Sequence, residues 1–535
     1  MSPVIRRGLL SVAGRRVHYR WAGDGPPVVM LHGSPGDSEM FTAEITAFAR
    51  DYTAIAFDTP GFGLSEPLPE EGISVTALAG ATAAAMAALG LPPCRVYGSH
   101  TGAAIGLELG VGWPEQVSGL LLEGVPLFTT AEMADLFTGY FAPMIADPLG
   151  GHLTSTWIRF RDQHTWFPWL SRDVRRLNKL DRPTPAEIDH WVSMFYRSCR
   201  NYAPAYRAAC FYRDGQRAAA ALRRPAIHVA AATDMLHPHM ARLPERPQQS
   251  RATLPDGQER AAALLAHLRA LPGGPGVIRH PVGPVGSDPA LCIAPGNVFV
   301  RCYGTPDNLA LLLAHDSPGT GLACQDLARA LAERFYVVVP DLPGCGETQL
   351  LSDESPILEV AADALRTVAV HLELRRYTLL GFGCGAAVAA ILASQGDPNL
   401  AAVLLRDLPR PDPATAAAIA PDIALSAEGA HWIQAWLMLR DGQIYRPWFA
   451  GTVATQRRDQ GNFDADFLHD QTCALLRQRA HYHRLPRAAW QCETTASLRA
   501  AKVPVHLLDE ASSTADVAAL VTPQPSPVVP TSALP

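Results

Sequence analysis

The stretch VYGSHTGAAIG, Val96 to Gly106, decides how the rest of the chain is interpreted. Apolar residues lead into a Gly-containing turn and an Ala-rich segment follows, a pattern typical of a strand, a sharp turn and a helix. The spacing matches Gly-x-nucleophile-x-Gly, in which a tight turn carries a reactive side chain at its centre. Gly98 and Gly102 take the glycine positions, and His100 takes the centre, where Ser, Asp or Cys is usual.

His100 is therefore the first candidate for chemistry. An imidazole with a pKa near ~6.5 is mostly neutral at pH 7 and can serve as a base or as an uncommon nucleophile. Moving the register so that Ser99 stands at the centre would lose one of the flanking glycines, which disfavours Ser99 as nucleophile. A non-catalytic role for His100, in a turn that only folds or binds a ligand, stays open.

The chain also contains an internal repeat, which indicates a duplication. At a spacing of 283 positions, residues 31–38 (LHGSPGDS) recur at 314–321 (AHDSPGTG), 57–67 (FDTPGFGLSEP) at 340–350 (PDLPGCGETQL), and 98–106 (GSHTGAAIG) at 381–389 (GFGCGAAVA). At a spacing of 279, six residues recur: His152, Trp157, Arg161, Asp162, Pro168 and Trp169 match His431, Trp436, Arg440, Asp441, Pro447 and Trp448. We infer a tandem duplication of one domain.

Composition places the boundaries of the two copies. Residues 272–297 are dense in Pro and Gly and are predicted to be a linker, and residues 522–535 are predicted to be a disordered Pro/Ser-rich tail. The first copy is then residues 1–271, with an inserted cap at about 128–221. The second copy is residues 298–521, with a cap at about 410–500.

Each copy alternates short apolar runs with helical stretches. The runs are PPVVMLHG, YTAIAFD, CRVYGS, VSGLLLEGV and PAIHVAAATD in the first copy, and LALLLAHD, FYVVVPD, RYTLLGFG, LAAVLLRDL and VPVHLLDE in the second. Continuous apolar runs separated by helices predict parallel strands buried on both faces. The expected class is α/β, with a mostly parallel, doubly wound sheet in each copy. Thr184, Pro185 and Glu187 form a capping box, so the first insertion is expected to be helical.

Composition excludes several functions. The 535 residues carry a net charge of −6, which favours neither nucleic acid nor an anionic membrane as partner. Ten cysteines without CxxC pairs indicate neither a zinc site nor a disulfide framework. No apolar run is long enough to span a membrane, and no cofactor motif occurs. We expect a cytoplasmic protein with no metal and no cofactor.

Three motifs together resemble the α/β-hydrolase superfamily, and they occur in both copies. They are HGSP at 32–35, DTPGFGLS at 58–65 and the turn around His100. The chain is most similar to the capped branch that contains epoxide hydrolases and haloalkane dehalogenases. This resemblance implies an oxyanion hole formed by the backbone N–H groups of Ser34 and Thr101.

The resemblance also implies positions for an acid and a base. Asp234 stands where the acid usually follows the seventh strand, and Glu123 stands at an alternative position after the sixth. The position of the usual histidine holds Gln258, so the base is expected to be His100 itself. His237 and His239 are a second source of imidazole, although paired loop histidines are more often surface residues.

The second copy departs further from the pattern. Its turn has Gly383 at the centre, with Cys384 in the next position, and Arg406 stands in the place of Glu123. Little chain remains after Asp509 for another strand and a catalytic histidine. We therefore expect the second copy to be non-catalytic and only the first copy to retain a usable cleft.

The aromatic residues of the first insertion allow two interpretations. Trp157, Trp166 and Trp169 stand at helical spacing, which favours packing, but they can also line an apolar substrate cleft. The leading hypothesis is an enzyme acting on a small apolar ester, lactone, epoxide or carbonyl compound. A ligand-binding or scaffold protein, and a lyase or isomerase with His100 as general base, are the alternatives. Packing of the two copies as an intramolecular pseudo-dimer stays open.

Overall fold

The computed structural model describes residues 3–178, 180–274, 276–278, 290–293, 298–350, 356–457, 460–509 and 512–521. The chain divides into two compact units. Unit 1 comprises Met1–Asp288 with Leu425–Ile433, and unit 2 comprises Pro289–Ala424 with Gln434–Pro535. Most of the predicted linker and all of the predicted tail lie outside the described residues, so the domain boundaries stay predictions.

Where the structure describes unit 1, it contains one sheet of eight strands. They are β1 (Arg6–Val12), β2 (Arg15–Ala22), β3 (Pro27–Leu31), β4 (Thr53–Phe57), β5 (Cys94–Ser99), β6 (Val117–Glu123), β7 (Ala226–Ala231) and β8 (Gln249–Leu254). The spatial order is β1-β2-β4-β3-β5-β6-β7-β8. β1 and β2 pair antiparallel, as do β2 and β4, and the other pairs are parallel. The ends of β5, β6 and β7 therefore lie side by side at one edge of the sheet.

The described residues of the first copy also form nine α-helices. They are α1 (Thr42–Phe48), α2 (Val75–Ala88), α3 (Thr101–Gly112), α4 (Thr130–Phe137), α5 (Gly151–Thr165), α6 (Pro185–Ser198), α7 (Tyr202–Cys210), α8 (Gly215–Ala221) and α9 (Arg260–Ala270). Helices α4 to α8 all lie between β6 and β7 in the chain, where the insertion was expected. The capping box of α6 forms as expected, with Glu187 N donating to Thr184 Oγ1 and Thr184 N donating to Glu187 Oε2.

The part of unit 2 that the structure describes contains a sheet of seven strands. They are β9 (Ala290–Ile293), β10 (Val298–Tyr303), β11 (Leu309–Ala314), β12 (Phe335–Pro340), β13 (Tyr377–Phe382), β14 (Leu400–Arg406) and β15 (Val505–Leu508). The order is β15-β14-β13-β11-β12-β10-β9, with β9 and β10 antiparallel to their neighbours and the rest parallel. Up to Val521, the described residues contain no strand after β15, so the counterpart of β8 is missing there.

The second copy contains a matching set of helices. They are α10 (Gln325–Leu331), α11 (Ile357–His371), α12 (Cys384–Gln395), α13 (Pro413–Ile419), α14 (Ala430–Asp441), α15 (Ala465–Arg477), α16 (Arg484–Ala489), α17 (Thr494–Arg499) and α18 (Thr514–Val521). α13 to α17 lie between β14 and β15 in the chain. In the described residues, no helix has both the length and the apolar character needed to cross a bilayer.

Both sheets have the predicted α/β architecture because their central strands are apolar along their whole length. Every residue of β3, β4 and β12 is buried, which requires cover on both faces of the sheet. All ten apolar runs form strands, β3 to β7 in the first copy and β11 to β15 in the second. The antiparallel strands β1, β2, β9 and β10 and the last strand β8 were not predicted.

Candidate active site

His100 stands at a strained turn between β5 and α3. Its φ of 48° and ψ of −106° fall outside the regions that a residue with a side chain ordinarily adopts. A Cβ at Gly98 would lie 2.2 Å from the carbonyl oxygen of Gly102, and a Cβ at Gly102 would lie 1.8 Å from that of Leu31. The two glycines are therefore required by close backbone approach, and the turn has the geometry predicted from its sequence.

The structure brings His100 and Asp234 together. His100 Nε2 lies 2.8 Å from Asp234 Oδ2, and Leu236 N donates to the other carboxylate oxygen at 2.8 Å. The Asp234 side chain is 12% exposed, whereas the His100 side chain is 41% exposed. Nδ1 of His100 has no hydrogen-bond partner among the described residues. The pair is thus an imidazole oriented by a carboxylate, with its second nitrogen unoccupied.

Gly124, the residue after β6, leaves room for this pair. Its φ is +61°, and a Cβ there would lie 2.5 Å from His100 Cδ2 and 3.2 Å from Asp234 Oδ2. Any side chain at position 124 would therefore displace the ring or the carboxylate. Sequence reasoning did not identify this glycine.

The electrostatics of the pair favour the charged forms of both groups. Burial among protein atoms opposes protonation of His100, but the charge and hydrogen bond of Asp234 outweigh it and raise the pKa of His100 above its ordinary 6.5. Burial likewise opposes ionisation of Asp234, and the His100 charge and hydrogen bond lower the pKa of Asp234 below its ordinary 3.8. His100 is consequently a stronger base than a free imidazole.

Two backbone donors expected to form an oxyanion hole flank the turn. Thr101 is the first residue of α3, so its N–H lacks a partner within the helix. Neither this N–H nor that of Ser34 has an acceptor among the described residues. The Ser34 hydroxyl oxygen is also buried without a partner in that part of the chain. The two backbone N–H groups therefore have no acceptor in the described part of the protein.

Glu123, the alternative acid, is hydrogen-bonded elsewhere. The Tyr97 hydroxyl donates to Glu123 Oε2 at 2.5 Å, and Arg260 Nη2 donates to the same oxygen at 2.6 Å. Arg260 also pairs with the buried Glu44, whose pKa is raised by burial. His100 N donates to the backbone carbonyl oxygen of Glu123 at 2.8 Å, but within the described ranges no hydrogen bond joins the Glu123 side chain to the His100 ring. Asp234 is therefore the carboxylate that orients the ring.

Gln258 and the loop histidines lie apart from the pair. Gln258 is exposed in the turn at Gly257–Glu259, and no hydrogen bond links it to His100 or Asp234 in the described structure. His239 is buried, accepts a hydrogen bond from Leu127 N at 3.0 Å, and has a pKa lowered by burial to about 4. His237 lies 3.4 Å from the Thr253 hydroxyl. A role for Gln258 in the site stays a prediction.

The three tryptophans make packing contacts with other protein groups. Trp157 is 1% exposed, and its indole Nε1 donates to the carbonyl oxygen of Ala427 at 3.2 Å. The guanidinium of Arg172 lies 5.0 Å from the Trp166 ring, and that of Arg159 lies 4.9 Å from the Trp169 ring. These contacts agree with the packing interpretation, and the substrate-lining role of the tryptophans stays a prediction.

The turn of the second copy has the same backbone and a different occupant. Gly383 has φ 53° and ψ −117°, close to His100. The carboxylate of Asp316, the counterpart of Gly33, fills the space above Gly383, because a Cβ at Gly383 would lie 2.0 Å from Asp316 Oδ1.

The same carboxylate oxygen is held by backbone donors. Asp316 Oδ1 accepts from Ser317 N and Cys384 N at 2.8 Å each. These donors correspond to Ser34 and Thr101, so the second copy fills its donor pair with its own carboxylate.

The expectation that only the first copy retains a cleft is wrong. A cavity of about 410 Å³ in unit 2 is lined by Asp316, Gly383 and residues of the second insertion. Sequence reasoning missed this cavity because it was guided by the loss of catalytic residue types, which does not determine whether space remains above a turn. The sequence did carry a signal, since Gly33 and His100 of the first copy become Asp316 and Gly383 together.

Comparison with known proteins identifies relatives of both copies. A protein-family model for the alpha/beta hydrolase fold matches residues 26–250 and 308–479. The uncharacterized hydrolase YraK of Bacillus subtilis is 34% identical over 114 residues, which cover 21% of this chain and 42% of that protein. Haloalkane dehalogenase 2 of Mycobacterium bovis is 31% identical over 107 residues, 20% of this chain and 37% of that one. The matched segments thus span about two-fifths of these relatives.

Solved structures of similar fold include epoxide hydrolases. Epoxide Hydrolase A from Mycobacterium thermoresistibile aligns with a TM-score of 0.39 and 22% identity, covering 51% of this chain and all of that one. Epoxide hydrolase VrEH1 from Vigna radiata aligns with a TM-score of 0.38 and 18% identity, covering 50% of this chain and 97% of that one.

Proposed function

The chain belongs to the α/β-hydrolase fold family, and from this membership we propose that its first copy is a hydrolase in which His100 is the base and Asp234 its orienting acid. The proposed substrate is a small apolar ester, lactone, epoxide or carbonyl compound. The observation that carries the proposal is the 2.8 Å contact between His100 Nε2 and Asp234 Oδ2, with an accessible ring beside two unfilled backbone donors.

Within this range, the donors favour an acyl compound, an ester or a lactone. Hydrolysis of such a compound places a negative charge on the carbonyl oxygen, and preorganised N–H groups stabilise that charge. The second copy supports the assignment of Ser34 and Thr101 as donors, because one carboxylate oxygen accepts from both of their counterparts at 2.8 Å. That oxygen stands in for the oxyanion.

The proposed reaction needs no covalent intermediate. Nδ1 of His100 takes a proton from a water molecule as its oxygen bonds to the acyl carbon, and the carbonyl oxygen, now negative, accepts from Ser34 N and Thr101 N. The C–O bond to the leaving group then breaks, and the alkoxide takes the proton back from His100. Asp234 holds the Nε2 proton throughout and stabilises the imidazolium.

A panel of aryl esters, lactones and epoxides tests the proposal on the full chain. We expect turnover of at least one ester or lactone, and His100→Ala should lower kcat/KM by about 10²–10⁴-fold, the usual contribution of a general base. His237→Ala is the matched control, because this histidine belongs to the same unit and lies outside the site. Equal turnover in wild type and His100→Ala would exclude His100, and turnover of no panel member would contradict the substrate class.

A further inference from the structure

The cavity of the second copy is large enough for a small organic molecule. Its volume of about 410 Å³ falls in the range of ligand pockets. Its walls are mainly apolar and come from the end of β13 and from the second insertion; they include Phe382, Ile419, Met438, Leu439, Trp448 and Trp490. The expected occupant therefore has an apolar body.

At the base of the cavity, the Asp316 carboxylate favours a cationic group on a ligand, whereas the donors at the same place in the first copy favour an anionic one. Its Oδ1 is held by two backbone N–H groups, so these donors are not available to a ligand oxygen. The side chain is nevertheless 45% exposed, and among the described residues its Oδ2 has Arg446 Nη2 as its one partner, at 3.3 Å. The first copy presents two donors at this place, whereas the second presents a carboxylate oxygen.

The charged groups around Asp316 leave this oxygen weakly compensated. Arg446 makes its shorter contact with Asp407, Nη1 to Oδ2 at 2.6 Å, so one guanidinium serves two carboxylates. Arg406 Nε likewise lies near Asp407, 3.8 Å from its Oδ2. Arg457 Nη1 donates to the Gly442 carbonyl at 3.1 Å. A cationic donor on a ligand would complete the coordination of Asp316 Oδ2.

We propose that the second copy is a binding site for a protonated organic amine with an apolar body. The ammonium group pairs with Asp316 Oδ2, and the apolar body contacts the walls formed by the second insertion. This site is independent of any reaction in the first copy, because all of its lining residues belong to unit 2.

Isothermal titration calorimetry of the full chain near neutral pH tests the proposal with three probes of one skeleton. They are 2-amino-1-phenylethanol, the neutral 1-phenylethane-1,2-diol and the anionic mandelate. We expect the amine to bind with one site per chain and the other two to bind at least about tenfold more weakly, since they lack the charge-assisted bond. Comparable binding of the diol or mandelate, or no saturation by the amine at millimolar concentrations, would overturn the proposal.

Variants of the cavity locate the site. Asp316→Asn retains an oxygen for the two backbone donors and removes the charge, so it should weaken amine binding about tenfold. Asp316→Gly, which restores the residue of the first copy, should have the same effect and provides a second variant if the first folds poorly. Asp326→Asn is the matched control, since it removes a carboxylate from the exposed edge of the same cavity. Equal binding by Asp316→Asn, Asp316→Gly and Asp326→Asn would contradict the assignment.

Discussion

The two turns of the duplicated domain share one backbone geometry and differ in which residue supplies the side chain. In the first copy, His100 occupies the centre and Gly33 leaves the donor pair open. In the second copy, Gly383 leaves space at the centre and the Asp316 carboxylate fills it. A turn of this kind can thus lose its central side chain and still hold a charged group at the same point in space.

The two arrangements exclude one another for steric reasons. A Cβ at Gly383 would lie 2.0 Å from Asp316 Oδ1, whereas a Cβ at Gly33 would meet the His100 Cβ at 3.4 Å. A carboxylate that reaches from the preceding loop to the turn therefore requires glycine at the centre, whereas a β-carbon alone at position 33 would be in ordinary contact with His100. The substitutions at the two positions are coupled.

The largest expected effect comes from converting the first turn into the second. His100→Gly should lower kcat/KM by about 10²–10⁴-fold by removing the base. Adding Gly33→Asp should cost about a further 10²–10³-fold, because the new carboxylate would occupy the donors. Steady-state kinetics on the best ester or lactone measures both steps. Gly33→Ala is the control for the added Cβ, and a double variant as active as His100→Gly would show that the donors take no part.

Displacing the catalytic pair should have a smaller effect. In Gly124→Ala, the new Cβ would lie 2.5 Å from His100 Cδ2, so the ring must move, and we expect kcat/KM to fall by about 10²-fold. Gly90→Ala is the matched control, with a φ of +63° and open space around it. If the two variants are equally active, the position of the ring does not matter for turnover.

In the second copy, the coupling between positions 316 and 383 should appear in the free energy of unfolding. Gly383→Ala should destabilise unit 2 by about 1–3 kcal/mol more than Gly451→Ala, which has a similar positive φ without neighbours. Adding Asp316→Gly should restore most of the difference, because it removes the atom that the new methyl group meets. Calorimetric unfolding of wild type, Gly383→Ala, Asp316→Gly, their double variant and the control Gly451→Ala measures this coupling. Additive effects of the two substitutions would contradict the steric explanation.

The smallest effect is the contribution of the His100–Asp234 pair to stability. The raised pKa of His100 stabilises the fold fully below pH 6.5, and this contribution is lost as the pH rises through the pKa of the folded state. The lowered pKa of Asp234 contributes above pH 3.8 and is lost as the pH falls. Because the ring is 41% exposed, we expect less than about 1 kcal/mol.

Melting temperatures of wild type and His100→Ala at about pH 6 and about pH 9 measure this contribution. The melting temperature of wild type minus that of His100→Ala should be greater at the lower pH. A greater difference at the higher pH would mean that the folded state holds His100 neutral.

The sequence predicted the parallel core of both sheets because the central strands are apolar throughout. It could not predict β1, β2 and β10, in which charged residues interrupt the apolar ones, or β9, which lies within the predicted linker. The His100–Asp234 contact was implied by the family resemblance, which placed His100 at the turn and Asp234 after β7. Arg260, Gly124 and Asp316 were missed because their roles depend on which side chain fills a given space, and the spacing of motifs carries no such information.

The pH dependence of kcat/KM in wild type and in Asp234→Asn tests the role of His100 most directly. If a neutral His100 held by Asp234 is the base, the wild-type rate rises with pH through an apparent pKa above 6.5. In Asp234→Asn, the Asp234 carboxylate no longer opposes the effect of burial on the pKa of His100. The rise of kcat/KM should therefore occur at lower pH, and the maximal rate should fall. A limb at the same pH in both proteins, or a rate that falls as the pH rises through this range, would contradict the assignment.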